Sequence, residues 1–408
     1  MEQSQSMMLA TLVAVFSVFG LGLCMFLLGS VKIRLTEKLG INNAQMGKLF
    51  SVYNFSNLIF VLVAGIVCDQ FGYQTVAVLG YLAGIAAIFL FGQASNYVLA
   101  ICACLFLGVG SMFMNTAGNV LLGNPAILFA DTGRSANLGN VFFGLGAFFT
   151  PMITAYFFKK ISFGGTLAVL STVLIIPLII ALAASFPEAG GNFSGKAAAA
   201  LITNPTIILC ALALVCYIAL EVSMTGWITT YMTSVGADET TASRVLSYFS
   251  IAIMVGRLAA AFIIGGMLNL GESGMWFIAI LALLIAVVTF YMKNVNTQGL
   301  ATTMVILIGL LFAPCFPTIA GLMFARVEGA VAGTGFSLIF SIGLLGAIFV
   351  PAWMGSIASG EGKTIKDSMI VASGVAVILL IIAIVMVFAL PAPLGAPVSA
   401  PVPAPLPG

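Results

Sequence analysis

No histidine occurs among the 408 residues, and only 6% of them carry a formal charge. The first absence removes the commonest general base and metal ligand together. The cysteines do not fill that gap. All seven fall inside apolar runs, and the one close pair, Cys102-Ala103-Cys104, is too tight for a CxxC site. They read as small buried hydrophobes. No metal, no cofactor and no catalytic residue is expected, so the chain does not read as an enzyme. The scarcity of charge excludes a soluble globule, because such proteins carry about 25% charged residues. There is no basic cluster either, with 14 Lys and Arg against 12 Asp and Glu, so nucleic acid is not an expected partner. No Lys or Arg precedes the first apolar run, and that run is long enough to span a membrane. A cleavable signal peptide is therefore not expected.

Hydrocarbon is what the sequence has in abundance. Hydrophobic residues make up 62% of it, mean hydropathy is +1.21, and apolar runs near the ~20 residues that cross a bilayer recur from end to end. The pattern predicts an all-α membrane protein of twelve spans, near 8–30, 47–68, 74–93, 97–122, 136–157, 165–186, 206–232, 242–267, 274–292, 299–324, 333–356 and 369–390. The longest polar connection, residues 187–205, separates an N-terminal six-helix bundle (1–186) from a C-terminal one (206–390). Residues 391–408 repeat Pro with Ala, Leu and Val. Proline removes donors and clashes inside helices, which makes this a disordered or polyproline-like tail.

Internal repetition supports the division. Gly146-Ala147-Phe148-Phe149-Thr150-Pro151 in the fifth span recurs as Gly346-Ala347-Ile348-Phe349-Val350-Pro351 in the eleventh. Ahead of the second span, Gly40-Ile41-Asn42-Asn43 with Lys48 and Ser51 parallels Gly236-Ala237-Asp238-Glu239 with Arg244 and Ser247 ahead of the eighth. Both matches join spans six apart, as parallel repeats of a transporter do.

The residues that can carry chemistry are few. After the second span comes Gly65-Ile66-Val67-Cys68-Asp69-Gln70-Phe71-Gly72. Small glycines let helix ends approach, and an aspartate can cap a helix N-terminus, so Gly65, Asp69 and Gly72 are candidate gating or structural residues. Asn115 and Asn119 share a helix face at i, i+4, and Asn137 and Asn140 open the fifth span. Amides inside a membrane need partners. They offer donor and acceptor alike, which suits a neutral polyol better than an ion. Substrate contact is favoured for Asn115 and Asn140, and a role as interhelical glue for Asn119 and Asn137. Glu221 is the one acid deep in an apolar helix. Desolvation would favour its neutral form and suit proton exchange, whereas pairing with Arg257 in the eighth span would hold it ionised; both readings stand. Tyr217 lies on its face, and Phe143, Trp227 and Phe316 are the aromatic candidates for stacking on a sugar ring. Phe316 is favoured because Pro314 and Pro317 break the tenth span, which is tolerated only under protein or cavity.

Taken together these residues resemble the fucose/glucose–proton symporter branch of the major facilitator superfamily. The resemblance rests on Asn115 through Asn119, Ser135 through Phe142 with Gly146-Ala147, Tyr217-x-x-x-Glu221, Gly226-Trp227, Gly256-Arg257, Phe316-Pro317-Thr318-Ile319, and Gly343 through Pro351. It covers nearly all of the membrane part. It implies two six-helix halves around a central cavity, uptake of a monosaccharide or polyol with protons, a monomer in a cell membrane, and both termini in the cytoplasm. Two departures limit what carries over. The branch's symporters place a carboxylate in the first span and another where Asn115 stands, whereas residues 8–30 here contain no acid. The loop after the second span has Gln70, Tyr73 and Gln74 where the superfamily's signature is basic. The expectation is a secondary transporter of a small neutral sugar, with proton coupling through Glu221 or facilitated passage both open. An exporter of amphipathic drugs or lipids on the same fold is a further alternative, and a non-transporting sensor or channel is a rival of another class. The implied orientation puts Lys32, Arg34, Lys38, Lys48, Lys159, Lys160, Arg244, Lys293, Lys363 and Lys366 outside, against the positive-inside rule.

Overall fold

The structure is a computed structural model that describes residues 2–187 and 193–394. Among the described residues there is no strand, and eleven helices are long and apolar enough to cross a membrane. One of them, Asn43–Gln93, is two spans run together. Gly72 breaks it at φ 82°, ψ 171°, a conformation that glycine alone adopts cheaply. The twelve predicted spans are thus all present, as two sets of six.

Helix boundaries follow the capping chemistry of the sequence. The first helix runs on past the apolar stretch, through Lys32, Arg34 and Lys38, to Leu39. It stops at Gly40, whose φ is +62°, and Asn42 then caps the next helix in a capping box with Gln45. The second half repeats this at Gly236, with φ +88°, and Asp238, whose carboxylate accepts from Thr241 N–H. Asn204 caps Pro205–Ser234 with proline in the first turn. The connection between halves contains a short helix, Gly195–Ala200, which its alanine run favours.

The repeats are structural as well as sequential. A methyl on Gly146 would strike the Phe19 carbonyl and crowd Leu23, and one on Gly346 would strike the Val215 carbonyl and crowd Ala219. In each half a glycine of the fifth-position span therefore seats the backbone of the first-position span at close range. The halves meet where the second span packs on the eleventh, and where the fifth packs on the eighth and tenth. The tail expected from Pro391 is held at its start, with Leu394 N–H donating to the Ala325 carbonyl at 2.8 Å. Residues 395–408 lie outside the described residues.

Candidate functional site

The amides of the fourth and fifth spans form one chain. Asn119 Nδ2 donates to the Asn115 side-chain carbonyl at 2.9 Å and to its backbone carbonyl at 3.0 Å. Asn140 Nδ2 donates to Asn119 Oδ1 at 3.0 Å and to the Ala136 carbonyl at 2.9 Å. The middle position belongs to Asn119, and the amide group of Asn140 is occupied within the half. Asn115 Nδ2 is left buried with no partner. A buried donor in that state is costly, which makes it the one free hydrogen-bonding group of the chain.

Arg257 carries the chain into the other half. Its Nη1 donates to the Asn140 backbone carbonyl at 2.9 Å, and its Nε donates to the Ala313 carbonyl at 3.2 Å. The second acceptor is made by the tenth-span break. Pro317 has no N–H, so Ala313 lacks its i+4 donor, and a guanidinium supplies one instead. Arg257 Nη2 stands 4.0 Å from Glu221 Oε1, a bare ion pair without a hydrogen bond. The guanidinium also lies over the Phe143 ring, 5.9 Å from its centroid. Tyr217 turns its hydroxyl toward the Glu221 carboxyl without a hydrogen bond of ordinary geometry. Its ring stacks on Phe316 at 6.4 Å and 27°.

Of the residues singled out in the sequence, Asn115, Asn119, Asn140, Phe143, Tyr217, Glu221, Arg257 and Phe316 fall in this one cluster. Asn137 lies beside it and also crosses between halves, donating from Nδ2 to Thr318 Oγ1 at 3.2 Å; its Oδ1 is buried and unpartnered. Trp227 is elsewhere. It is six residues along the helix from Glu221, about 9 Å of rise, and its indole N–H donates to the Pro351 carbonyl. The expected central cavity is closed over these residues. Asn115 is 0% exposed, Arg257 3% and Asn140 3%, because Arg257 and Asn137 tie the halves together across the cluster. Of the polar members only the Glu221 side chain, at 26%, reaches accessible space.

The gating candidates lie at one end of the molecule. Asp69 accepts from Gly333 N–H at 2.8 Å and from Thr334 N–H at 2.7 Å, capping the start of the eleventh span from the opposite half. Gly65 packs against Gly333 and Ser337 there, with no room for a side chain. At the same end Thr132 Oγ1 donates to the Gly321 carbonyl at 2.8 Å. Sequence reading missed Thr132 and Asp131, and it gave Thr318, though part of a quoted motif, no role of its own. The pattern Asp131-Thr132-Gly133 signals a helix start, but nothing in it tells what the start will face.

Comparison with known proteins agrees with this architecture. A family model described as the Major Facilitator Superfamily matches residues 12–351. A curated protein of Erwinia tasmaniensis, a TsgA homolog, is 25% identical over 256 residues, covering 61% of this chain and 64% of its own. The inner membrane transport protein YdiN of Escherichia coli K12 is 24% identical over 290 residues, 67% of this chain and 65% of its own. The agnestins efflux protein AgnL12 of Paecilomyces divaricatus is 26% identical over 201 residues, 48% and 46% of the two chains. The chain thus spans less than two thirds of the length of these relatives. Among solved structures, the E. coli fucose:proton symporter FucP is similar at a TM-score of 0.78 with 15% identity, over 93% of this chain and 99% of that one. The proton:xylose symporter XylE follows at 0.75 with 12% identity, over 95% and 97%. Likeness at such identity speaks for the fold.

Proposed function

The chain belongs to the major facilitator superfamily, whose fold and family are those of membrane transporters, and on that premise we propose that it moves a small neutral sugar or polyol across the membrane by alternating access. The observation that carries the proposal is the polar chain running from Asn115 through Asn119 and Asn140 to Arg257 and Glu221. It lies between two repeats that rock about a midplane site. Glu221 and Arg257 offset each other's charge, so the site offers a neutral solute hydrogen bonds without a net field. Asn115 Nδ2 supplies a free donor, and Tyr217 and Phe316 supply aromatic faces. The fucose and xylose symporters with the same fold, by their names, move such solutes.

Coupling is assigned to Glu221. It is the accessible polar member of the cluster, and its link to Arg257 at 4.0 Å is loose enough to break on protonation. Both termini are placed in the cytoplasm, where the Asp69 end would also lie. Facilitated passage remains the second reading, since the first span holds no acid. Export of an amphipathic solute is the third, supported by the efflux protein among the relatives.

The deciding experiment is uptake of a labelled hexose panel into proteoliposomes, with and without an imposed pH gradient, for the parent and Glu221→Gln. One hexose should accumulate against its gradient in the parent and only equilibrate in the variant. Accumulation that survives Glu221→Gln would refute the coupling. Failure of every hexose, with counterflow of an amphipathic solute instead, would refute the substrate class.

A further inference from the structure

Ahead of the second and eighth spans counterparts lie 196 positions apart, as Gly40 and Gly236 do, and from the end of those spans onward they lie 200 apart: Gly65 and Gly265, Gly133 and Gly333, Gly146 and Gly346. The Asp69 contact therefore has a counterpart position to inspect. Asp69 takes the N–H groups of Gly333 and Thr334. The corresponding donors are those of Gly133 and Arg134, and the corresponding acceptor is Asn269. Asn269 does not make that contact. Its side-chain carbonyl accepts from Glu272 N–H at 3.2 Å, capping its own helix.

The carboxylate stands on the other side of the interface, at Asp131, whose counterpart in the second half is the apolar Val331. Asp131 Oδ1 accepts from Gly133 N–H at 2.9 Å and Arg134 N–H at 3.2 Å, which start its own helix. The same oxygen accepts from Gly271 N–H at 2.7 Å, and Oδ2 accepts from Leu270 N–H at 2.8 Å. One carboxylate thus faces the starts of two helices from different halves, each start carrying partial positive charge. Arg134 Nε donates across to the Ala261 carbonyl at 2.9 Å, and a methyl on Gly321 would strike Gly133, so the contact is close on all sides.

We propose that Asp131 is a second latch of this end, its acid transposed across the interface relative to the first, and that it sets the fraction of molecules closed there. Both latching carboxylates then belong to the N-terminal half, and both hold helix starts of the C-terminal half. Because the acids ride on one body and the donors on the other, a rigid rocking of the halves breaks both together. The acceptors meet backbone N–H groups, so neither latch needs a basic side chain, in keeping with Gln70, Tyr73 and Gln74 in the loop. The functional consequence rests on the alternating-access reading, but the test reads conformation directly and needs no transported solute.

Val327 is buried and lines a cavity of about 280 Å³ at this end, bounded by Thr132 of one half and Gly271 of the other. Val327→Cys in the full chain, with the half-buried Cys102 changed to Ser, gives a reporter whose maleimide labelling speeds up as this end opens. Asp131→Asn keeps the helix cap, since Asn and Asp cap equally well, but it leaves no anion for Leu270 and Gly271. Labelling should rise by about threefold or more, as loss of a charge-assisted hydrogen bond implies, and Asp69→Asn should act in the same direction. Leu270→Pro removes one donor from the opposite side at a first-turn position that tolerates proline, and it should also speed labelling. The proposal is overturned if Asp131→Asn and Leu270→Pro both leave the rate unchanged or lower it. If one of them does not fold, the other decides.

Discussion

Asn119 uses its amide on Asn115 and its carbonyl on Asn140, so its removal takes a partner from groups on both sides. Asn115 Nδ2, by contrast, has no partner to lose. The two substitutions should therefore separate stability from binding. Asn119→Ala leaves the Asn115 side-chain carbonyl buried and unmet, at about 1–3 kcal/mol, and takes from Asn140 Nδ2 one of its two acceptors, so it should lower the melting temperature more than Asn115→Ala does. Asn115→Ala removes one of the two acceptors of Asn119 Nδ2 and leaves it the Asn115 backbone carbonyl, so it should cost less stability than Asn119→Ala while weakening affinity for whichever hexose the uptake panel identifies, as read by equilibrium binding. Equal melting of the two variants would count against the chain as drawn. The i, i+4 spacing of Asn115 and Asn119 made their meeting legible, because helical geometry alone decides it. Which amide holds the centre was not legible. That depends on the register of the fifth span against the fourth, which Gly139 sets by admitting Leu122 against its backbone.

Elements were legible where hydropathy or proline fixes them, and illegible where packing does. Twelve apolar runs gave twelve spans, and Pro314 with Pro317 marked the tenth-span break that frees the Ala313 carbonyl. The π-helical turn at Ala260–Ile264 and the break between Gly343 and Gly346 carry no comparable mark. The tenth span supports a sharp expectation. Pro317→Ala restores an N–H to Ala313 and competes with Arg257 for that carbonyl. Interior proline costs a helix about 3 kcal/mol, so the variant should melt no lower than the parent while its transport rate falls. A variant that melts higher and transports normally would show that the break does not serve Arg257. The paired glycines give a second test at this scale. The obstacle to Gly146→Ala is the Phe19 carbonyl and the obstacle to Gly346→Ala is the Val215 carbonyl; backbone cannot swing aside as a side chain can. Each substitution should cost about 1–3 kcal/mol by thermal denaturation, and by similar amounts if the halves are true repeats.

At the scale of the whole molecule, the described cross-half hydrogen bonds gather in the middle and at the Asp69 end, through Asp69, Asp131, Thr132, Arg134, Asn137 and Arg257. This is the disposition of a carrier closed at that end, and it explains why the amides are buried. The segment that leaves the twelfth span is tied to the same end. Arg326 Nε donates to the Pro391 carbonyl at 2.8 Å, while its other nitrogens hold the Gly271, Leu322 and Glu272 carbonyls. Leu394 N–H returns a bond to Ala325. Both ties run to the C-terminal half, so the segment braces that half and its hydrogen bonds do not latch the two together. Ending the chain after Leu390 removes both ties, and at about 0.5–1.5 kcal/mol for a neutral bond and about 1.5–3 for one from a charged donor the protein should lose thermal stability. Thr318→Cys removes the acceptor of Asn137, so maleimide labelling there is compared between full-length and shortened chains that both carry it, and shortening should leave the rate unmoved because Asp69 and Asp131 are intact. Faster labelling at Thr318→Cys in the shortened chain would assign the segment to the gate itself; unchanged melting would show that its two hydrogen bonds contribute nothing.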